Sequence, residues 1–393
     1  MKSRVPLAGA AAACLTLPLV GVGPALAGHD DGPRAAAGGV EVVASGLANP
    51  RGLAVLDGDV YVAQAGSGRA AGDPERCFIG AEEMRVCLGA TGKISRLDVD
   101  DDGTAKVTDV VTGLASLAGE GGAQAVGPTD VTVDGNDRLH AVIGLGGNPE
   151  AAKALGAEAP ADQLATAGLV DRHDGTYDAY ADVGAFEVAH NPDGNVPFDT
   201  NPYAIAASRG VRVVADAGGN TLLRVKRNGD VSTLAVFPDE ASVQVPGAPP
   251  GTMIEPQAVP NAVVRGPDGA FYVGQLTGFP FVPGTATVWR VTPGKDPKVY
   301  ADGFTNIIDL AFTREGNLLV LEIAKDGLLA TPPGALPTGA LIEVSRKDTD
   351  DREVLTEDLA APGGVAVDGS TAYITNKAVT PDAGEVLRLD LGD

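Results

Sequence analysis

The 393-residue chain carries 52 acidic against 29 basic residues, a formal charge of −23. That balance argues against nucleic acid and anionic lipid as partners, because both need Lys and Arg to neutralise phosphates. It describes a solvated acidic surface of the kind that keeps an exported protein soluble.

The first element reads as an export signal. Lys2 and Arg4 make a positive start, Val5 to Val22 is largely apolar, and Ala25-Leu26-Ala27 supplies the small-x-small pattern for cleavage before Gly28. Loss of residues 1–27 removes two basic residues and no acidic one, leaving a mature chain of charge −25. Cys14, behind a run of alanines, offers a lipoprotein site as the alternative. No stretch reaches the roughly 20 uninterrupted apolar residues of a spanning helix, so the mature chain is expected outside the cell and free of the membrane. Residues 28–39, rich in Gly and Ala without periodicity, are expected to form a disordered leader.

From residue 40 onward the chain repeats. Short Val/Ile/Leu-rich runs punctuated by Asp-Gly and Pro turns point to many short strands. A strand recurs at 50–55, 128–133, 202–207, 260–264, 307–312 and 362–367, usually opened by Pro. A second apolar strand follows each, at 60–63, 139–142, 211–214, 271–274, 318–321 and 372–375. Third strands lie at 92–97, 221–225, 287–291, 340–344 and 384–389, and more polar fourth strands at 106–113 and 230–237. Four strands per repeat, apolar inside and polar outside, is the layout of a propeller blade. The sixth copy lacks a fourth strand, and residues 40–47 resemble one. The fold class is therefore all-β, a six-bladed β-propeller over residues 40–391 whose N-terminal strand closes the last blade and removes both free sheet edges.

Two excursions interrupt the pattern. Cys77 and Cys87 form an isolated pair which, in an oxidising compartment, reads as a local disulfide in blade one, stabilising by about 2.8 kcal/mol on the chain-entropy scale. Residues 147–168, with Glu150 to Leu155, read as a helical excursion in blade two.

A series of segments also matches a family. Asn49-Pro50-Arg51-Gly52-Leu53, the cysteine pair, Asp199-Thr200-Asn201-Pro202-Tyr203, Ala215-Asp216-Ala217-Gly218-Gly219-Asn220, Leu276-Thr277-Gly278-Phe279-Pro280-Phe281, Gly303 to Asp309 and Pro362 to Val367 occur in this order. Together they resemble the ScyD/ScyE family of secreted propellers. The resemblance implies a six-bladed, TolB-like or NHL-like propeller outside the cytoplasm and brings no catalytic residues with it.

Candidate chemistry lies where loops lead into the inner strands, since propellers bind ligands at a channel mouth. Aligning the copies puts Arg51, Thr129, Tyr203, Asn261, Ile308 and Gly363 in one ring. Gly52, Asp130, Ala204, Ala262, Asp309 and Gly364 form the next, with Asn49, Asn201 and Asn306 in the loops. Asp130 and Asp309, facing each other across the channel, offer hard oxygen ligands for calcium. Asp98, Asp100, Asp102 and Gly103, with Asp109 twelfth, fit a D-x-D-x-D-G calcium loop, although a hairpin turn needs the same residues. Gly66-Ser67-Gly68-Arg69-Ala70-Ala71 mimics a dinucleotide fingerprint but opens no helix. Asp171, His173, Asp174 and His190 read as surface residues of one outer strand and loop, and Trp289 as core. Leu276 to Phe281 is either a rigid ligand wall or packing. No H-E-x-x-H or G-x-S-x-G motif occurs. The leading expectation is a monomeric, non-enzymatic secreted propeller that binds a small molecule or a protein at the mouth. The alternatives are a calcium-assisted, lactonase-like hydrolase using Asp130, Asn261 and Asp309, and a component of an extracellular assembly.

Overall fold

The computed structural model describes residues 39–70, 72–80, 84–100, 103–208 and 210–392; the expected signal peptide, the leader up to residue 38, and Asp102 lie outside them. Six antiparallel sheets form the blades of a propeller. Their innermost strands are Pro50–Leu56, Pro128–Val133, Pro202–Ser208, Pro260–Arg265, Ile307–Phe312 and Gly364–Asp368. Each packs against the next in ring order, and the sixth packs back onto the first.

Local chemistry fixes each hairpin. In blade one, Asp57 and Gly58 take φ of 55° and 85° between Leu56 and its partner Asp59. This is the two-residue turn whose backbone twist matches the flanking strands, and Asp-Gly adopts it with little strain. Side chains between blades supply the core: Val142, Ala167, Ile205, Val214 and Val225 interlock blades two and three. Burying each Val or Ile is worth about 1.5–3 kcal/mol, which no blade obtains alone.

The ring closes as the sequence implies. Glu41–Leu47 pairs antiparallel with Gly384–Asp390, from Glu41 opposite Arg388 to Leu47 opposite Gly384, with two bulges. Arg388 Nε donates to Glu41 Oε2 at 2.7 Å, and Val43, Ala44 and Leu47 bury against Leu53, Val60 and Val386.

The blade-one excursion is a disulfide-closed hairpin. Cys77–Ile79 pairs with the extended strand Arg85–Val99, placing Cys77 directly opposite Cys87 in a bond of 2.04 Å. In blade two, Asn148 caps the short helix Pro149–Ala152, and 3-10 turns follow at Lys153–Leu155 and Ala161–Gln163. One element departs from expectation. His190 stands on a helix, Val183–His190, and not on an outer strand or loop. Asp182 caps its start by accepting from Ala185 N at 2.7 Å, and Asn191 ends it in the left-handed conformation. No helix of the described residues is long and apolar enough to cross a membrane.

Candidate functional site

The first ring predicted from the alignment is a tier of residues at or just before the start of the six innermost strands. Arg51, Thr129, Tyr203, Asn261, Ile308 and Gly363 are all buried. Thr129 Oγ1 donates to Pro202 O at 3.0 Å, tying blade two to blade three, while Tyr203 and Ile308 join an apolar cluster with Val259 and Leu276. Arg51 is only 4% exposed. Its Nη2 donates to Ala125 O at 2.7 Å, yet Nε and Nη1 are sealed from solvent without a hydrogen-bond partner. Asn261 Oδ1 is sealed in the same way.

The tier below carries the two aspartates. Asp130 Oδ1 accepts from Val131 N and Oδ2 from Ile205 N, both at 2.8 Å. Asp309 repeats the arrangement with Leu310 N at 2.8 Å and Val365 N at 2.7 Å. Each carboxylate thus bridges its own inner strand to that of the next blade, giving partners to edge N–H groups that no further strand pairs. Small neighbours allow this: a Cβ on Gly52 would lie 2.0 Å from Asp130 Oδ1. Burial pushes Asp309 up to about 7, and burial followed by repulsion from Asp309 pushes Asp130 up as well.

The loop asparagines are built into the scaffold. Asn49 and Asn306 both take positive φ just before an inner strand, and their Nδ2 groups donate to Gly66 O and Leu276 O at 2.7 Å. Asn201 N donates to Asp216 Oδ1 at 2.6 Å. The last contact belongs to a repeat just beyond the second strands read from the sequence, two residues on in blade three and one in three others. The final residue of the second strand accepts from a backbone N–H of the neighbouring loop in four blades: Gln64 from Ala48, Asp216 from Asn201, Glu322 from Thr305 and Asn376 from Ala360. Aligning the six copies on the ends of these strands exposes this polar position.

At blade three that position belongs to a larger group of acids. Glu187 from the helix, Asp193 and Asp199 from the following loop, and Asp216 from the strand Val211–Asp216 converge beside Gly218 and Gly219. A Cβ on Gly219 would lie 3.1 Å from Glu187 Oε2 and 3.3 Å from Asp216 Oδ2; one on Gly218 would lie 2.9 Å from Asp199 Oδ1. Asp216, fully buried, accepts from Asn201 N, Gly219 N and Thr200 Oγ1. Asp193 Oδ2 accepts from Asn220 Nδ2 at 2.9 Å. Glu187 is 2% exposed and its carboxylate accepts no hydrogen bond from the described residues, while Asp199 Oδ1 is sealed without a partner. Burial, then repulsion from Asp216, Asp193 and Asp199, pushes Glu187 up to about 8; burial, then Asp216 and Asp193, pushes Asp199 up to about 7.

The remaining candidates stay apart. Asp100 shapes a turn in which Gly103 N donates to Asp100 O, and Asp98 and Asp100 are exposed. Asp109 lies on the outer strand Ala105–Ala118 opposite Ser95, accepting from Ser95 Oγ at 2.7 Å, so it is not gathered at that turn. Asp171 accepts from the backbone of His173 and Asp174 in a hairpin turn. Phe281 packs against the core, and Trp289 packs against Phe237 at 5.9 Å between ring centroids. Glu75, Cys77 and Cys87 are the described residues whose ligand atoms cluster tightly enough for an ion, but the disulfide engages both sulfurs.

No protein-family model matches the sequence, and no curated protein does. Among solved structures the chain is similar to a protein of unknown function from Bacteroides thetaiotaomicron VPI-5482, with 12% identity, 92% of this chain and 73% of that chain covered, and a TM-score of 0.51. Looser similarity, at a TM-score of 0.44 and 14% identity, links it to a streptogramin B lyase, covering 88% of this chain and 95% of the lyase. A gluconolactonase from Xanthomonas campestris shares 12% identity at a TM-score of 0.43, with 88% and 98% of the two chains covered. At these identities the likeness to the Bacteroides protein is one of fold alone, that of a β-propeller.

Proposed function

We propose that the chain is a secreted, monomeric propeller of the ScyD/ScyE type that binds a small anionic or polar molecule where its channel meets the loop face. The observation that carries this reading is the Arg51 guanidinium, buried with two nitrogens lacking acceptors. An unsatisfied buried donor costs about 1–3 kcal/mol, more for a charged group, and a carboxylate or phosphate oxygen recovers it through a two-pronged hydrogen bond. Asn261 Oδ1 on the same tier, sealed without a donor, offers an acceptor to a ligand hydroxyl. The residues that resemble the secreted family, and the signal-like segment 1–27, support export.

Native mass spectrometry of the secreted chain, followed by calorimetry with the recovered compound, tests this. Arg51→Met is expected to weaken binding at least tenfold while the protein stays folded, and the mature chain is expected to begin at Gly28. Unchanged affinity in Arg51→Met removes the mouth from the account. A second reading, metal-assisted hydrolysis in the channel, draws on Asp309, whose carboxyl is held near 7 and so is suited to exchange a proton at neutral pH. It predicts that Asp309→Asn abolishes turnover of a lactone substrate without touching Arg51-dependent binding.

A further inference from the structure

We propose that Glu187, Asp193, Asp199 and Asp216 form a calcium-binding site on the loop face of blade three, separate from the Arg51 mouth, the channel aspartates and the Asp98–Asp100 turn. Two segments already conspicuous in the sequence, Asp199-Thr200-Asn201-Pro202-Tyr203 and Ala215-Asp216-Ala217-Gly218-Gly219-Asn220, meet there. The helix Val183–His190 brings Glu187 to them from outside the repeat.

Four observations carry the assignment. First, the charge is uncompensated: none of the four carboxylates forms an ion pair with a described Lys, Arg or His. Buried acids without a basic partner are neutralised either by protons or by a cation. Second, Glu187 is only 2% exposed and its carboxylate accepts no hydrogen bond from the described residues, although Oε2 stands beside Asp216 Oδ2 at Gly219. Third, Asp199 Oδ1 is sealed without a partner beside Gly218. Fourth, the absence of a side chain at Gly219 lets two carboxylates approach one point, where a Cβ would lie 3.1 Å from Glu187 Oε2 and 3.3 Å from Asp216 Oδ2.

The donors are all oxygens, which selects a hard cation over zinc or copper. In the ion-free geometry no three of the four carboxylates come within 4.8 Å of one another. Binding would have to draw them inward, and the Glu187 carboxylate breaks no hydrogen bond with a described residue in doing so. A wider and more variable shell of six to eight oxygens suits calcium, whereas magnesium demands a tight octahedron at about 2.0–2.1 Å. The bound ion would clamp the helix and the 191–201 loop to the end of the strand Val211–Asp216.

The test is calorimetric titration of the chelator-treated full chain with calcium chloride, with magnesium chloride as a second arm. Wild type is expected to take up one equivalent of calcium more tightly than magnesium, with an accompanying rise in Tm. Glu187→Gln and Asp199→Asn are each expected to weaken calcium binding at least tenfold, whereas Asp230→Asn, on an exposed turn of the same blade, leaves it unchanged. In chelator, both site variants should melt at or above the wild-type temperature because repulsion is relieved, which shows that they are folded. Absence of saturable calcium binding overturns the proposal, as does binding that survives in both site variants or disappears in Asp230→Asn.

Discussion

Asp130 and Asp309 show how one side chain ties two blades together. Each places one oxygen on an N–H of its own inner strand and the other on an N–H of the next. Asp309→Ala removes two acceptors at once and is expected to destabilise the fold by about 1–3 kcal/mol, measured by urea unfolding at mildly acidic pH, where repulsion with Asp130 contributes least. Unchanged stability there would show that water serves these donors equally well. Gly52→Ala is expected to cost at least as much, because the new methyl would stand 2.0 Å from Asp130 Oδ1 and 3.0 Å from its Cα. The pH profile follows from the acids held above their ordinary range: Asp309, Asp199 and Glu322 near 7 and Glu187 near 8, each chiefly through burial. Between about pH 4 and about pH 8 the folded chain keeps protons that the unfolded chain has released, so stability falls as pH rises through that window. Asp134 acts in the opposite sense. Hydrogen bonds from Arg138, Asn136 and His140 outweigh its burial and hold its carboxyl low, so its contribution is lost on acidification. Thermal scans are therefore expected to peak near about pH 5 and to lose several degrees by about pH 8. Saturating calcium should flatten the part due to Glu187 and Asp199.

Among the elements, the strands were legible and the helix was not. Each inner strand announces itself by a Pro or loop residue followed by β-branched residues, and six copies average out local ambiguity. The helix Val183–His190 has no such repetition behind it. Its Asp182 cap and Asn191 terminus were visible in the sequence, but only eight residues separate them and its apolar face is weak. Missing it also hid the acid group, because Glu187 reaches Asp216 only when the segment coils and lies over blade three. The Asp98–Asp109 spacing misled in the opposite way. Twelve residues bring carboxylates together on a helix-flanked loop, but along an extended strand they carry Asp109 away from the turn, to a place opposite Ser95. The Cys77–Cys87 hairpin projects from blade one as an extension of Arg85–Val99, so its disulfide is expected to secure that extension more than the ring. Replacing both cysteines by Ser should raise hydrogen exchange across 77–89 while shifting the global Tm by only a few degrees, less than the full loop-entropy value of about 3 kcal/mol implies.

For the whole molecule the decisive contact is the pairing of Glu41–Leu47 with Gly384–Asp390. Deleting residues 39–47 strips Val43, Ala44 and Leu47 from the interface with blade one and leaves the last strand with an open edge. The expected outcome is loss of the cooperative melt and self-association, read by calorimetry and light scattering. A circular permutant should behave in the opposite way. Because Glu41 lies opposite Arg388, a short linker can join the two ends, and new termini can open in the exposed turn at 347–349. That permutant is expected to melt within a few degrees of the parent. The seam also sets a timetable. The segment that pairs at the seam is among the first of the propeller to be synthesised, and its mate is the last. It waits through the making of every intervening blade, so a polypeptide halted before Gly384 has nothing to clasp, and sealing of the circle certifies that translation ran through to the sixth blade.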